Sequence, residues 1–194
     1  MSFEEDIEKN RNNFLTSVDL FSGCGGLTLG LKQAGFKVIG AVDCEPLAVE
    51  TYKVNHEEVF IWEKDIRTLS TLELKKQLKL NEGELDLLAG CPPCQGFSSL
   101  RTLNGSRKIE DHRNDLVFDY LRFVRDLRPK AIMMENVPGL SMNEFFIEFC
   151  LELKRLGYTY DYKILNTADF GVPQRRSRLV LMGGLSGPVN FVLP

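Results

Sequence analysis

Histidine is nearly missing from this sequence, with only His56 and His112 among 194 residues, and the five cysteines are an odd number without paired spacing. Such a set excludes a disulfide scaffold and points to a reducing, cytoplasmic setting. A four-ligand zinc site needs two ligand pairs. Cys91 and Cys94 supply one C-x-x-C, while Cys24, Cys44 and Cys150 stand alone, so no metal is expected. No apolar run approaches the length of a membrane span, and Met1 to Asn13 is polar with no signal-peptide core. A basic excess is missing too: the net charge is −3, so any contact with nucleic acid must be local.

The sequence does contain the material of one soluble globular domain, 43% hydrophobic and 26% charged. Residues 1–16 read as a polar tail and 17–194 as the domain. Two stretches are locally basic, Arg101 to Lys130 and Gln174-Arg175-Arg176-Ser177-Arg178. Each alone reads equally well as a solvated surface.

Strand and helix signals alternate along the chain. Ser17 to Phe21 is a strand entering Ser22-Gly23-Cys24-Gly25-Gly26, and a helix follows from Leu27 to Gln33. Phe36 to Val42 is a second strand ending at Asp43, and Pro46 opens a second helix. Phe60 to Ile66 contains a third short strand, and Ser70-Thr71-Leu72-Glu73 is a capping box that starts a third helix. Leu85 to Ala89 is a buried strand stopped by Gly90 and two prolines. Gly96 to Arg113 is a long polar loop of the kind that often carries function. Asn114 to Leu127 is an amphipathic helix with Leu116, Phe118, Leu121 and Val124 facing the core. A strand over Ala131 to Met134, a helix over Asn143 to Leu156 and strands near 158–165 and 178–182 complete the chain.

This alternation predicts an α/β fold with a mainly parallel sheet and helices on both faces. In such sheets ligands bind beyond the carboxyl ends of the strands. Chain direction then gathers Gly23-Cys24-Gly25, Asp43, Asp65, Cys94 and Glu135 on one edge. The glycine loop, with Asp43 at the interval of a ribose acceptor, implies a nucleoside cofactor. Thr28 stands where the last glycine of G-x-G-x-x-G would fall, which disfavours a dinucleotide. The plainer alternative is a tight turn followed by an exposed aspartate. Cys94, on a loop just past a strand, reads as a nucleophile, although Cys91-Pro92-Pro93-Cys94 also has redox-pair spacing.

Four segments together carry a family resemblance: Asp19-Leu20-Phe21-Ser22-Gly23-Cys24-Gly25-Gly26, Gly90 to Ser98 with its Pro-Cys-Gln, Glu135-Asn136-Val137, and Gln174 to Arg178. In this order they resemble the signature motifs of the DNA cytosine-5 methyltransferases, over about Ser17 to Gly184. The resemblance implies a Rossmann-like S-adenosylmethionine-dependent methyltransferase fold. It implies S-adenosyl-L-methionine in a pocket formed by Phe21, Gly23 and Gly25, with Asp43 on the ribose and Asp65 and Ile66 near the adenine. Cys44 would lie beside the adenine where many relatives carry a bulkier residue, Pro92 would lie near the cofactor, and Leu116 would close over it.

The implied reaction needs these residue types. Cytosine C5 is a weak nucleophile, so a thiolate from Cys94 adds to C6 and makes C5 enamine-like. Glu135 would donate at N3, Arg178 would hold O2, and Arg176 would meet a phosphate or support its loop. The target base must leave the duplex, with the 96–113 loop as the candidate that closes over it. DNA is the implied partner.

The resemblance stops before a target-recognition region, which three readings explain: a truncated chain, one subunit of a split enzyme or a degenerate gene product; in each, methylation of DNA is expected to need a complementary polypeptide carrying that region. Two other readings stay open: an idle cofactor- or partner-binding module, and a C-x-x-C redox protein. Cys91→Ala separates the last, since methylation should tolerate it.

Overall fold

The computed structural model describes residues 14–93 and 116–192. Cys94, the 96–113 loop, and the first 13 residues of the polar tail lie outside the described residues. In order come β1 (Thr16–Leu20), α1 (Gly26–Gln33), β2 (Lys37–Asp43), α2 (Pro46–Asn55), β3 (Phe60–Glu63), α3 (Thr71–Leu78) and β4 (Leu87–Gly90). Then follow α4 (Leu116–Leu127), β5 (Ala131–Asn136), α5 (Glu144–Arg155), β6 (Thr159–Asn166) and β7 (Ser177–Gly184), with 3-10 turns at Pro138–Met142 and Thr167–Phe170.

The sheet has seven strands in the order β3-β2-β1-β4-β5-β7-β6. The first five pair in parallel, and β7 runs antiparallel between β5 and β6. The expectation of a mainly parallel sheet holds. Strand order reverses between β1 and β4, which opens a crevice at their carboxyl ends, where ligands bind in sheets of this kind.

Two apolar layers flank the sheet. On one face Leu31 of α1 and Tyr52 of α2 pack with Val38, Ala41, Leu87 and Ala89. On the other, Leu74 of α3, the buried stripe of α4 and Phe146, Phe149 and Leu153 of α5 pack with Val18, Leu20, Leu88, Ile132 and Leu179. In α4 the deepest positions are Tyr120, Phe123 and Val124, all fully buried. Phe118, expected in the core, is half-buried and meets Phe145 edge to face. Each large α4 side chain contributes about 1.5–3 kcal/mol through the water it excludes. That outweighs the weak helix propensity of an aromatic and β-branched sequence.

Local signals place the ends of the elements. Pro46 takes a first-turn position in α2, and Ser70 caps α3 by accepting the Glu73 backbone N–H at 3.0 Å. The reciprocal half of the capping box is not formed, because the Glu73 carboxylate accepts from Lys64 Nζ at 2.7 Å instead. Gly90 ends β4 for a steric reason: a Cβ there would lie 2.9 Å from the Leu20 carbonyl oxygen and 3.1 Å from the Tyr120 ring. β3 is a short strand within the expected stretch and stops at Glu63, which leaves Asp65 in the turn that follows. No helix among the described residues is long and apolar enough to cross a membrane.

Candidate active site

The glycine loop is built by hydrogen bonds to the neighbouring strand. Ser22 N donates to the Val42 carbonyl at 3.0 Å, and Gly23 N donates to Asp43 Oδ2 at 2.7 Å. Asp43 Oδ1 accepts the Glu45 N–H at 2.9 Å. Both Asp43 oxygens thus take backbone donors, and each keeps a second lone pair. Phe21 adopts a left-handed backbone with φ 60°, uncommon for a bulky residue, as the chain leaves β1.

Gly25, at φ 93°, is the N-cap of α1, and no side chain caps that helix. The first backbone N–H groups of α1 therefore face the crevice without a side-chain acceptor or an acidic residue in the first turn. That end of the helix favours an anionic group. A Cβ on Gly23 or Gly26 would meet nothing within 4 Å, so the loop borders open space.

Beneath the loop lies a polar network that sequence reasoning missed. Thr28 Oγ1 donates to Asp19 Oδ2 at 2.7 Å and accepts from the Tyr52 hydroxyl at 2.9 Å. Asp19 is fully buried, its Oδ1 has no hydrogen-bond partner, and burial pushes its pKa up to about 7 against the pull of the Thr28 hydrogen bond. Lys32 Nζ donates to His56 Nδ1 at 2.7 Å, which leaves His56 Nε2–H to donate to the Gly25 carbonyl at 3.0 Å. Lys32 also pairs with Glu58. A Cβ on Gly25 would lie 2.3 Å from His56 Nε2, so the histidine requires glycine there in addition to the positive φ. His56 carried no sequence signal beyond its place at the end of α2.

A second group forms where β4, β5 and β7 meet. Arg178 Nε lies 2.8 Å from Glu135 Oε1, and Arg178 Nη1 donates to the Ser177 carbonyl at 2.7 Å. Both side chains are mostly enclosed, 20% exposed for Arg178 and 27% for Glu135. Asn136, 3% exposed, donates from Nδ2 to the Pro92 carbonyl at 2.9 Å and accepts the Val137 N–H at 2.8 Å. It anchors the chain two residues before Cys94. Cys91 N donates to the Leu20 carbonyl at 3.2 Å. The Cys91 thiol is pushed strongly towards its protonated form, by burial first and by the Glu135 carboxylate next.

The remaining expected residues sit around this core. Cys44 is exposed after β2, its thiol held towards protonation by partial burial and by Asp43 and Asp65. Asp65 is gripped by the Arg67 guanidinium, which holds its carboxyl below the usual range; Nε is 2.9 Å from Oδ1. Ile66 is 4% exposed, and Leu116 is buried at the start of α4. Arg176 is exposed and is held through its backbone, with its N–H on Asn166 Oδ1 at 3.2 Å and its carbonyl accepting from Thr167 N. Among the described residues no three His, Cys, Asp or Glu side chains group as a metal set.

The family profile of the C-5 cytosine-specific DNA methylases matches residues 15–191. The Type II methyltransferase M.XorII of Xanthomonas oryzae pv. oryzae is 40% identical over 175 residues, which cover 88% of this chain and 40% of that protein. M.AquIA of Picosynechococcus is 37% identical over 182 residues, covering 88% of this chain and 72% of the relative. The chain thus spans about two fifths of the length of M.XorII and M.AgeI, and most of M.AquIA. Among solved structures, a DNA modification methyltransferase encoded within an E. coli prophage superposes with a TM-score of 0.74 at 33% identity, covering 88% of this chain and 46% of that one. The S. pombe Dnmt2 methyltransferase shares the fold, with a TM-score of 0.73 over 92% of this chain and 52% of its own, at 24% identity.

Proposed function

The chain belongs to the C-5 cytosine-specific DNA methylase family, and from that membership we propose that it transfers a methyl group from S-adenosyl-L-methionine to C5 of cytosine in DNA, with Cys94 as nucleophile. The observation that carries this reading is the Glu135–Arg178 pair at 2.8 Å. It stands beside the strand end that leads through Cys91-Pro92-Pro93 to Cys94. A carboxyl and a guanidinium so placed match the N3 and O2 edge of a pyrimidine.

The crevice fits the cofactor on physical grounds. The uncapped α1 N-terminus suits the methionine carboxylate, and the second lone pairs of Asp43 suit the ribose hydroxyls. Phe21, Gly23 and Gly25 would line the near wall. Cys44, Asp65 with Ile66, Pro92 and Leu116 would stand around the adenine and the pocket mouth. Bound there, S-adenosyl-L-methionine supplies an electrophilic methyl on a sulfonium.

The chain's own residues do the rest. The Cys94 thiolate forms a bond to C6, and the displaced ring electrons move towards N3, where Glu135, once it has taken up a proton, delivers it. Arg178 stabilises the charge that develops on O2, and exposed Arg176 meets a backbone phosphate. Loss of the C5 proton then restores the double bond and expels Cys94. The target is a base taken out of the duplex.

A complementary polypeptide is proposed as the partner that chooses the target. The proposed setting is a bacterial cytoplasm, with methylation protecting DNA beside a restriction nuclease. The redox alternative is disfavoured physically. Cys91 would be the attacking thiol of the C-x-x-C, and burial next to a carboxylate holds it protonated.

The test is covalent trapping on DNA containing 5-fluorocytosine, with cofactor and the complementary polypeptide present. An adduct is expected from the native chain and none from Cys94→Ala. An adduct that persists in Cys94→Ala overturns the reading.

A further inference from the structure

We infer that Cys91 is a positioning residue: its thiol donates a hydrogen bond to the Glu135 carboxylate and, together with Arg178, fixes the direction in which that carboxyl faces the substrate. The consequence for turnover rests on the proposed role of Glu135, whereas the contact itself does not.

The register places the two side chains together. β4 and β5 pair in parallel through Ala89 with Met133 and Gly90 with Met134, so Cys91 and Glu135 are the next pair. Ala89 and Met133 pack on the α1–α2 side of the sheet, and alternation returns Cys91 and Glu135 to that side. One residue further, the Asn136 side chain bonds the Pro92 carbonyl at 2.9 Å, so the chains stay in step beyond the last ladder pair. The register sets the Glu135 carboxylate beside the Cys91 thiol, near enough to help hold it protonated, and a carboxylate can only accept, so the S–H is the group placed to donate. Arg178 Nε holds Oε1 from β7.

A carboxyl gripped by a guanidinium alone can pivot about that contact. A second donor from β4 removes the freedom, and a thiol kept protonated by burial and by the carboxylate does this without itself ionising or competing with Cys94 as a nucleophile. This changes the expectation for Cys91→Ala from tolerance to a measurable loss.

The test has two arms. In the first, Raman spectra of the full native chain and of Cys91→Ser are subtracted to isolate the Cys91 S–H stretch. The band should lie below the position of a free thiol and move back towards it in Glu135→Gln. A band already at the free-thiol position, or one indifferent to Glu135→Gln, overturns the inference. Cys91→Ser is close to isosteric, so the native band is readable even where Glu135→Gln fails to fold.

In the second arm, turnover is measured in the assembly that methylates DNA. Cys91→Ala should lower kcat roughly fivefold, the effect of one lost hydrogen bond, with KM for DNA unchanged. Cys91→Ser should recover most of it. An unaltered kcat in Cys91→Ala overturns the positioning role. Absence of turnover in every chain, native included, counts against the proposed reaction, while the Raman band still decides the contact.

Discussion

Asp43 reaches back from the end of β2 to accept the Gly23 N–H at 2.7 Å, so the carboxylate that ends one strand fastens the loop that ends its neighbour. The same group is the ribose acceptor of the proposed pocket, and the two tasks are linked through its two oxygens.

Replacing Asp43 by asparagine leaves one acceptor oxygen where two backbone N–H groups now bond. Affinity for S-adenosyl-L-methionine, measured by calorimetry, is expected to fall about tenfold or more, the scale of an unmet hydrogen bond. Far-UV circular dichroism should stay native. Unchanged affinity would remove Asp43 from the pocket.

Gly25→Ala sets a Cβ 2.3 Å from His56 Nε2 on a backbone at φ 93°. The substitution should destabilise by roughly 2–4 kcal/mol, combining steric overlap with a left-handed conformation. Adding His56→Ala relieves the first component but not the second. A double-mutant cycle by urea denaturation should therefore show favourable coupling, and strict additivity would contradict the geometry.

Burial raises the pKa of Asp19 from 3.8 to about 7. Between those values the native chain keeps a proton that the unfolded chain has released. The stability this group contributes is full below about pH 3.8 and is lost as pH rises through about 7. The slope in that window is at most about 1.4 kcal/mol per pH unit. Thermal or urea melts across the window should show the slope in the native chain and its absence in Asp19→Asn, which keeps an acceptor for Thr28.

Asn136→Ala deletes the donor that holds the Pro92 carbonyl in a nearly closed site. A loss of about 1–3 kcal/mol is expected, because the carbonyl is left unpaired. Cys94 trapping on fluorinated DNA should slow in parallel, since the loop that carries it loses its tether to β5. Native stability with native trapping would show that the tether is idle.

Much of the architecture was legible in the sequence. Alternating periodicities gave the strands and helices, Pro46 and Ser70 marked helix starts, and Gly90 marked the end of a strand. Chain direction placed the glycine loop, Asp43 and Glu135 on one edge, whereas Arg178 and its link to Glu135 were expected only from the family resemblance. What could not be read depends on spatial neighbours. Nothing local to His56 says that its ring will lie under Gly25, and nothing local to Cys91 says that its register partner is Glu135. Strand order is equally hidden from periodicity, so the place of β7 between β5 and β6 emerges only from the assembled sheet.

That place has a consequence for how the site comes into being. Among the described residues β6 bonds to the sheet only through β7, and β7 reaches β5 antiparallel, with Val180 opposite Glu135. β6 therefore depends on β7 for its place in the sheet. Glu135 meets Arg178 only where β7 lies against β5, a contact between distant parts of the chain whose loop closure carries an entropic cost. Until β7 pairs with β5, Glu135 stands without the guanidinium that fixes it, so the two halves of this pair come from segments that meet only in the assembled sheet.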